Sequence, residues 1–170
     1  GGPVDRLADR LARDGVDTVH KIADGEPYNH DVYAQALVQL TASIDAELVL
    51  TPGTATGMDY APALAGRLDR PLVTDVVGIG AEDGLTLARR APGSALTETV
   101  AVDGDQAVIA VRPGQWPLLD TAGDATVTAF DAAVDESAIR STVTGIEATT
   151  GEIDLTTADT VVAVGRDRKS

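Results

Sequence analysis

The sequence predicts an α/β domain in which an open, largely parallel sheet is flanked by helices and carries an antiparallel β addition. Three observations predict it. Helical and strand-like segments alternate from the N-terminus to about Leu68. Leu48-Val49-Leu50 is apolar on both faces and too short for a helix, as expected of a buried parallel strand. From Leu72 the rhythm changes to short β-type runs separated by turn clusters, the pattern of an antiparallel addition.

In chain order, Val4 to Asp14 places Val4, Leu7 and Leu11 on one helical face and stops at Gly15, a glycine C-cap. Val16 to Ile22 alternates weakly and precedes Asp24-Gly25-Glu26-Pro27, hence a strand and a loop. Asn29 or Asp31 can cap a helix through Ile44, in which Val32, Ala36, Leu37 and Leu40 recur at helical spacing. The strand at Leu48 breaks in Thr51-Pro52-Gly53-Thr54-Ala55-Thr56-Gly57, and Asp59 to Leu68 is helical again. An αβαβα order in one sheet implies parallel strands joined by right-handed crossovers. Leu72 to Ile79, Leu85 to Arg90, Ala95 to Val102 and Ala107 to Val111 follow as strands, with Asp103-Gly104 as a tight hairpin signal. Thr126 to Phe130 and Ile139 to Ile146 read as extended segments, and Thr160 to Val164 as a last apolar strand before Gly165-Arg166-Asp167.

Composition narrows the class further. At 170 residues and 44% apolar content the chain is long enough for one packed core. There is no cysteine and there are two histidines, which excludes a disulfide framework or a thiolate metal site and leaves little for an imidazole centre. The net charge of −14 comes from 20 Asp and 7 Glu against 11 Arg and 2 Lys. Such a surface repels a phosphate backbone, so nucleic acid and anionic membranes are not the expected partners. An acidic, lysine-poor surface spread along the chain is also what a salt-adapted, halophilic protein needs, because concentrated ions screen the self-repulsion. Without an apolar run long enough to cross a bilayer, no membrane insertion is expected, and the cytoplasm is the expected compartment.

Catalytic constellations fail on spacing or on missing partners, so no catalytic and no metal-ligating residue is assigned. No Gly-Lys-Ser/Thr ending makes a P-loop, and Gly78-Ile79-Gly80 has no helix after it. The best local candidate is the loop Thr51 to Gly57. It follows a buried strand and leads into a helix whose amide end can receive an anion, while Thr51 and Thr54 offer hydroxyls and Gly53 and Gly57 allow close backbone approach. Arg112 and Trp116 are candidates for a partner-facing anchor, since Arg and Trp are enriched at interface centres.

Three blocks of sequence carry a resemblance. Leu48-Val49-Leu50-Thr51-Pro52-Gly53-Thr54-Ala55-Thr56-Gly57-Met58-Asp59-Tyr60-Ala61-Pro62-Ala63-Leu64-Ala65-Gly66-Arg67-Leu68, followed by Pro71-Leu72-Val73-Thr74-Asp75, resembles a segment of electron transfer flavoprotein alpha subunits. Val108-Ile109-Ala110-Val111-Arg112-Pro113-Gly114-Gln115-Trp116 and Asp154 through Arg166 are similar to two later stretches of that family, in the same order. Met58 and Asp167 depart from the pattern, standing where the family often has arginine and glycine. The resemblance implies a Rossmann-like N-terminal domain of the alpha subunit over residues 1–164, with residues 165–170 beginning the FAD-binding domain that is not included here. It also implies that the family's opening strand precedes these residues. Its implied partners are a beta subunit, the dehydrogenases that supply electrons and a quinone reductase that receives them. FAD is the implied cofactor of the complete heterodimer, with none expected on this chain alone. Arg166, next to Gly165, is the position it implies as an FAD contact, because a guanidinium at a helix start pairs bidentately with phosphate oxygens. The alternative from another class is a stand-alone adenine-nucleotide-binding or sensing domain using Thr51, Gly53, Thr54 and Gly57.

Overall fold

Strand formation centres on the apolar run at Ala107, whose two sheet neighbours both come from earlier in the chain. The computed structural model describes residues 7–8, 10–22, 27–91, 93, 95–117, 119, 121–145, 147 and 159–162. Its elements are β1 (Thr18–Ile22), α1 (His30–Ser43), β2 (Leu48–Pro52), α2 (Ala55–Leu68), β3 (Leu72–Gly80), β4 (Thr86–Arg90), β5 (Thr97–Ala101), β6 (Ala107–Val111), β7 (Thr126–Phe130) and a 3₁₀ turn at Glu136–Ala138. A five-stranded sheet has the order β2-β6-β3-β4-β5, and β1 pairs with β7 in a separate two-stranded sheet. The pairs β1–β7, β2–β6 and β6–β3 are parallel, whereas β3–β4 and β4–β5 are antiparallel. The α/β class with an antiparallel addition is therefore the observed one.

Helix α1 begins at Asn29, whose side chain accepts the Asp31 and Val32 amides. Helix α2 begins at Thr54, whose hydroxyl accepts the Gly57 N–H, and ends on Asp69 in the left-handed conformation, with Arg67 in the last turn where a cation suits the dipole. Alternation along β6 divides the core. Val108 faces α2 with Tyr60, Ala61, Leu64 and Ala65, while Ala107 and Ile109 face Val73, Val76, Leu85 and Leu87. Both cores thus rest on one strand.

Several sequence expectations are corrected. The parallel strands do not share one sheet, since β1 pairs with β7 rather than with β2. Asp103-Gly104 does not close a hairpin: β5 pairs with β4, and the turn instead carries the chain from the sheet edge back to its centre. The strand at Leu48 runs on to Pro52 and lies at an edge, leaving Leu50 54% exposed rather than buried. Helix α2 starts four residues before Asp59, because the Thr54 cap outweighs the weak helix propensity of Gly57.

The first helix includes Leu7, Ala8, Arg10 and Leu11 but stops short of Asp14, because Arg13 bridges to Ala122 and the Asp14 N–H donates to the Thr121 carbonyl. Gly15, with φ of 82°, serves the turn after that bridge. Residues Ile139 to Gly145 form no strand, and Thr160, Val161 and Val162 form none either. Val4 to Arg6, Ile146, Ala163 and Val164 lie outside the described residues.

A Cβ on Gly57 would strike the Pro52 carbonyl, so Gly57→Ala is expected to cost about 1–3 kcal/mol. Leu64, fully buried between α2 and β6, is expected to cost about 2–5 kcal/mol when cut to alanine. Urea denaturation midpoints measure both, and neutral outcomes would refute this packing.

Candidate functional site

At the carboxyl ends of β2 and β6, beside the middle of β3, sheet geometry brings the loop after β2 and the Arg112 turn together. Thr51 is the penultimate residue of β2, paired with Ala110, and its buried hydroxyl has no hydrogen-bond partner among the described residues. Gly53 extends the ladder, donating its N–H to the Val111 carbonyl at 2.7 Å, and a Cβ there would meet that same oxygen. The hydroxyl of Thr54 is engaged by the Gly57 N–H at 3.2 Å. Both glycines are thus explained by close backbone approach within the protein itself.

Beside this loop, Asp75 sits at a bulge in β3 with φ of 59°, a conformation that Asp tolerates better than bulkier residues. Its carboxylate accepts Arg112 Nη1 at 3.0 and 3.1 Å. Both partners are more than a third exposed, so the pair orients the turn after β6 more than it stabilises the fold. Trp116 is partly exposed beyond it. Gly165 and Arg166 lie outside the described residues.

The strongest electrostatic feature lies elsewhere, and sequence reasoning missed it. Asp31, in the first turn of α1, has no accessible surface. Its Oδ2 accepts the Arg140 backbone N–H at 3.0 Å and Nε at 3.4 Å, and its Oδ1 accepts Arg140 Nη2 at 2.9 Å. Arg67, from the end of α2, places Nη2 at 3.5 Å from Oδ1. The Arg140 side chain, then its backbone amide, hold the Asp31 carboxyl down at about 2 against the opposing effect of burial. With its oxygens so occupied, Asp31 acts as an anchor and not as a base.

What it anchors is the segment from Asp131 to Ser141, which runs along α1 as a strap. Gln39 donates to the Ala133 carbonyl at 2.8 Å and accepts the Ala133 N–H at 2.9 Å. Gln35 does the same with Asp135, at 3.3 and 2.9 Å. Asn29 donates to the Ser141 carbonyl at 2.7 Å. The expected strand at Ile139 is absent because these side chains hold the neighbouring backbone. The one available signal was Asp31 as a cap candidate; nothing in the sequence singled out Arg140.

A cavity of about 190 Å³ is lined by Ile22, Tyr33, Ala36, Leu37 and Tyr60. Next to it, Tyr28 donates its hydroxyl to Asp59 at 2.8 Å, and burial together with that bond raises the phenol above its ordinary value. Among the described residues, no group of three or more His, Asp or Glu is placed to hold a metal ion. No described helix is long and apolar enough to cross a membrane.

An open parallel-rich sheet with two helices against it, closed by a strap and extended by a β meander, defines a Rossmann-like α/β domain. The chain belongs to the electron transfer flavoprotein domain family, which matches residues 1–135. It is 32% identical over 174 residues to the electron transfer flavoprotein subunit alpha of Thermoanaerobacterium thermosaccharolyticum, covering 98% of this chain and 53% of that protein. It is 31% identical over 171 residues to the Syntrophomonas wolfei alpha subunit, covering 98% and 54%, and 26% identical to that of Bacillus subtilis. The chain spans about half the length of these curated relatives, corresponding to their N-terminal half.

The Asp31 anchor has a pH signature. Its folded value of about 2 lies below the ordinary carboxylate value, so its stabilisation is complete above about pH 4 and disappears as pH falls toward the folded value. Urea midpoints of the wild type and Asp31→Asn are expected to differ most at about pH 6 and to converge between about pH 4 and about pH 2. A constant difference across that interval would remove the carboxylate charge from the account.

Proposed function

We propose that this chain is the N-terminal domain of an electron transfer flavoprotein alpha subunit, the scaffold of an FAD-containing heterodimer. In this reading the heterodimer carries electrons from dehydrogenases to a quinone-linked acceptor. The observation that carries the proposal is the family match over residues 1–135, supported by alpha-subunit relatives that align along nearly the whole chain. When bound, the flavin supplies the redox chemistry. The residues here contribute position and shape, consistent with a site region whose polar groups serve capping and anchoring.

Residues 1–164 form the scaffold domain in this proposal, and the flavin-binding domain begins at Gly165-Arg166. Arg166 is the residue of this chain assigned to the flavin diphosphate, where a guanidinium fits two phosphate oxygens at once. Asp167, which follows it, adds a negative charge near the same group and weakens that contact. The beta subunit docks on the scaffold, while dehydrogenases and a quinone reductase meet the complete heterodimer in the cytoplasm.

Purified alone, the 170-residue chain is expected to be colourless. A full-length alpha subunit co-expressed with its beta partner is expected to be yellow, with FAD recovered on denaturation, and Arg166→Ala in that heterodimer is expected to lower its FAD content. A colourless heterodimer would overturn the proposal.

The acidic surface also points to a salt-rich cytosol. With −14 charges to screen, the melting temperature is expected to rise when KCl is taken from about 0.1 M to about 2 M, as the Debye length falls from about 10 Å toward the atomic scale. Differential scanning calorimetry across that range would detect an unchanged or falling melting temperature, which would dismiss salt adaptation.

A further inference from the structure

His30 is the first residue of α1, and its Nε2 stands 3.0 Å from Arg140 Nη2 and 3.2 Å from Asp31 Oδ1. One ring nitrogen cannot serve both neighbours in the same protonation state. In the neutral Nδ1–H tautomer the Nε2 lone pair accepts a hydrogen from Arg140; in the imidazolium both nitrogens carry protons, so Nε2 can only donate, and Asp31 Oδ1 is the acceptor within reach. In the second state an imidazolium and a guanidinium stand in contact and compete for the same carboxylate oxygen.

We propose that His30 is a pH-sensitive latch on the strap from Asp131 to Ser141: neutral, it helps Arg140 hold the strap on α1, and protonated, it takes Asp31 and loosens Arg140.

Three features support this. The charged groups around the ring are Asp31 on α1, Arg140 on the strap and Arg67 from α2, the last acting through the same Asp31 oxygen. When Arg140 withdraws, Arg67 and the charged ring remain to compensate the buried carboxylate, so the core need not open with the strap. The Arg140 side chain is 72% exposed, so water rehydrates the guanidinium when it leaves, whereas the Asp31 side chain is fully buried and stays. Histidine is the side chain whose charge ordinarily changes between about pH 5 and 8. The chain has no cysteine and two histidines, and the other, His20, lies in β1 with its Nδ1 at 3.1 Å from Thr128 Oγ1 and its ring edge-on to Phe130, where the strap begins and not at its Arg140 end.

Amide hydrogen exchange on the 170-residue chain tests the latch, followed by NMR at about pH 8 and about pH 5.5 and corrected for intrinsic rates. The reporters are the Ala133, Asp135 and Arg140 amides, bonded to Gln39, Gln35 and Asp31, with Ile109 in β6 as the core control. Strap protection is expected to fall roughly tenfold on acidification while Ile109 is unchanged. His30→Gln, neutral at both pH values and still able to accept from Arg140, is expected to abolish the response, and His20→Gln to keep it. Equal protection at both pH values, or a response that survives His30→Gln, overturns the proposal. If His30→Gln does not fold, ring ¹⁵N shifts of the wild type decide: the His30 titration must coincide with the loss of strap protection, and a mismatch refutes the latch.

Discussion

β6 has four consecutive residues, Ala107 to Ala110, with no accessible surface, and the rest of the fold depends on keeping them dry. A strand buried on both faces must also satisfy its backbone on both edges, or each unpaired group would cost free energy comparable to a lost hydrogen bond. β2 and β3 meet that need in parallel, so a segment reached late in the chain is inserted between two earlier ones. The insertion forces the long return from the β5 edge. It also lines up the carboxyl ends of β2 and β6 beside the bulge in β3, where Thr51, Gly53, Asp75 and Arg112 gather.

Local signals made much of this legible. The residues Ala107 to Val111 and Thr126 to Phe130 gave strands at their observed bounds, because a short apolar or β-branched run between turn clusters has few alternatives. Both helices were visible, α1 from period and cap chemistry and α2 without its Thr54 cap, hence four residues late at its start. Pairing was not visible. A glycine turn after a strand favours a hairpin locally, yet Asp103-Gly104 serves a crossover because β6 buries more apolar surface at the centre than it could beside the exposed β5. The end of the first helix was equally hidden, since the bridge from Arg13 to Ala122 joins residues more than a hundred positions apart.

The same division holds for the candidate site. Sequence pattern located the Thr51 to Gly57 turn and the Arg112 turn, each lying beside a strand end that could be read directly. It missed the Asp31 anchor because Asp31, Arg67 and Arg140 come from three distant segments, and a charged residue in so acidic a chain draws no notice. The resemblance to electron transfer flavoprotein alpha subunits, carried by three ordered motifs, added the family, which no single motif or spacing would have established.

Gln35 and Gln39 grip their neighbours through peptide groups and never through side chains. Four helical residues advance by about 6 Å and two extended residues by nearly 7 Å, so a pair of glutamines four apart can read alternate amides of a chain laid beside them. Recognition of this kind is blind to residue identity. The exposed position Ala133 can therefore be rewritten to any residue that keeps its N–H, while buried Ala132 stays small and the two glutamines keep the course of the stretch.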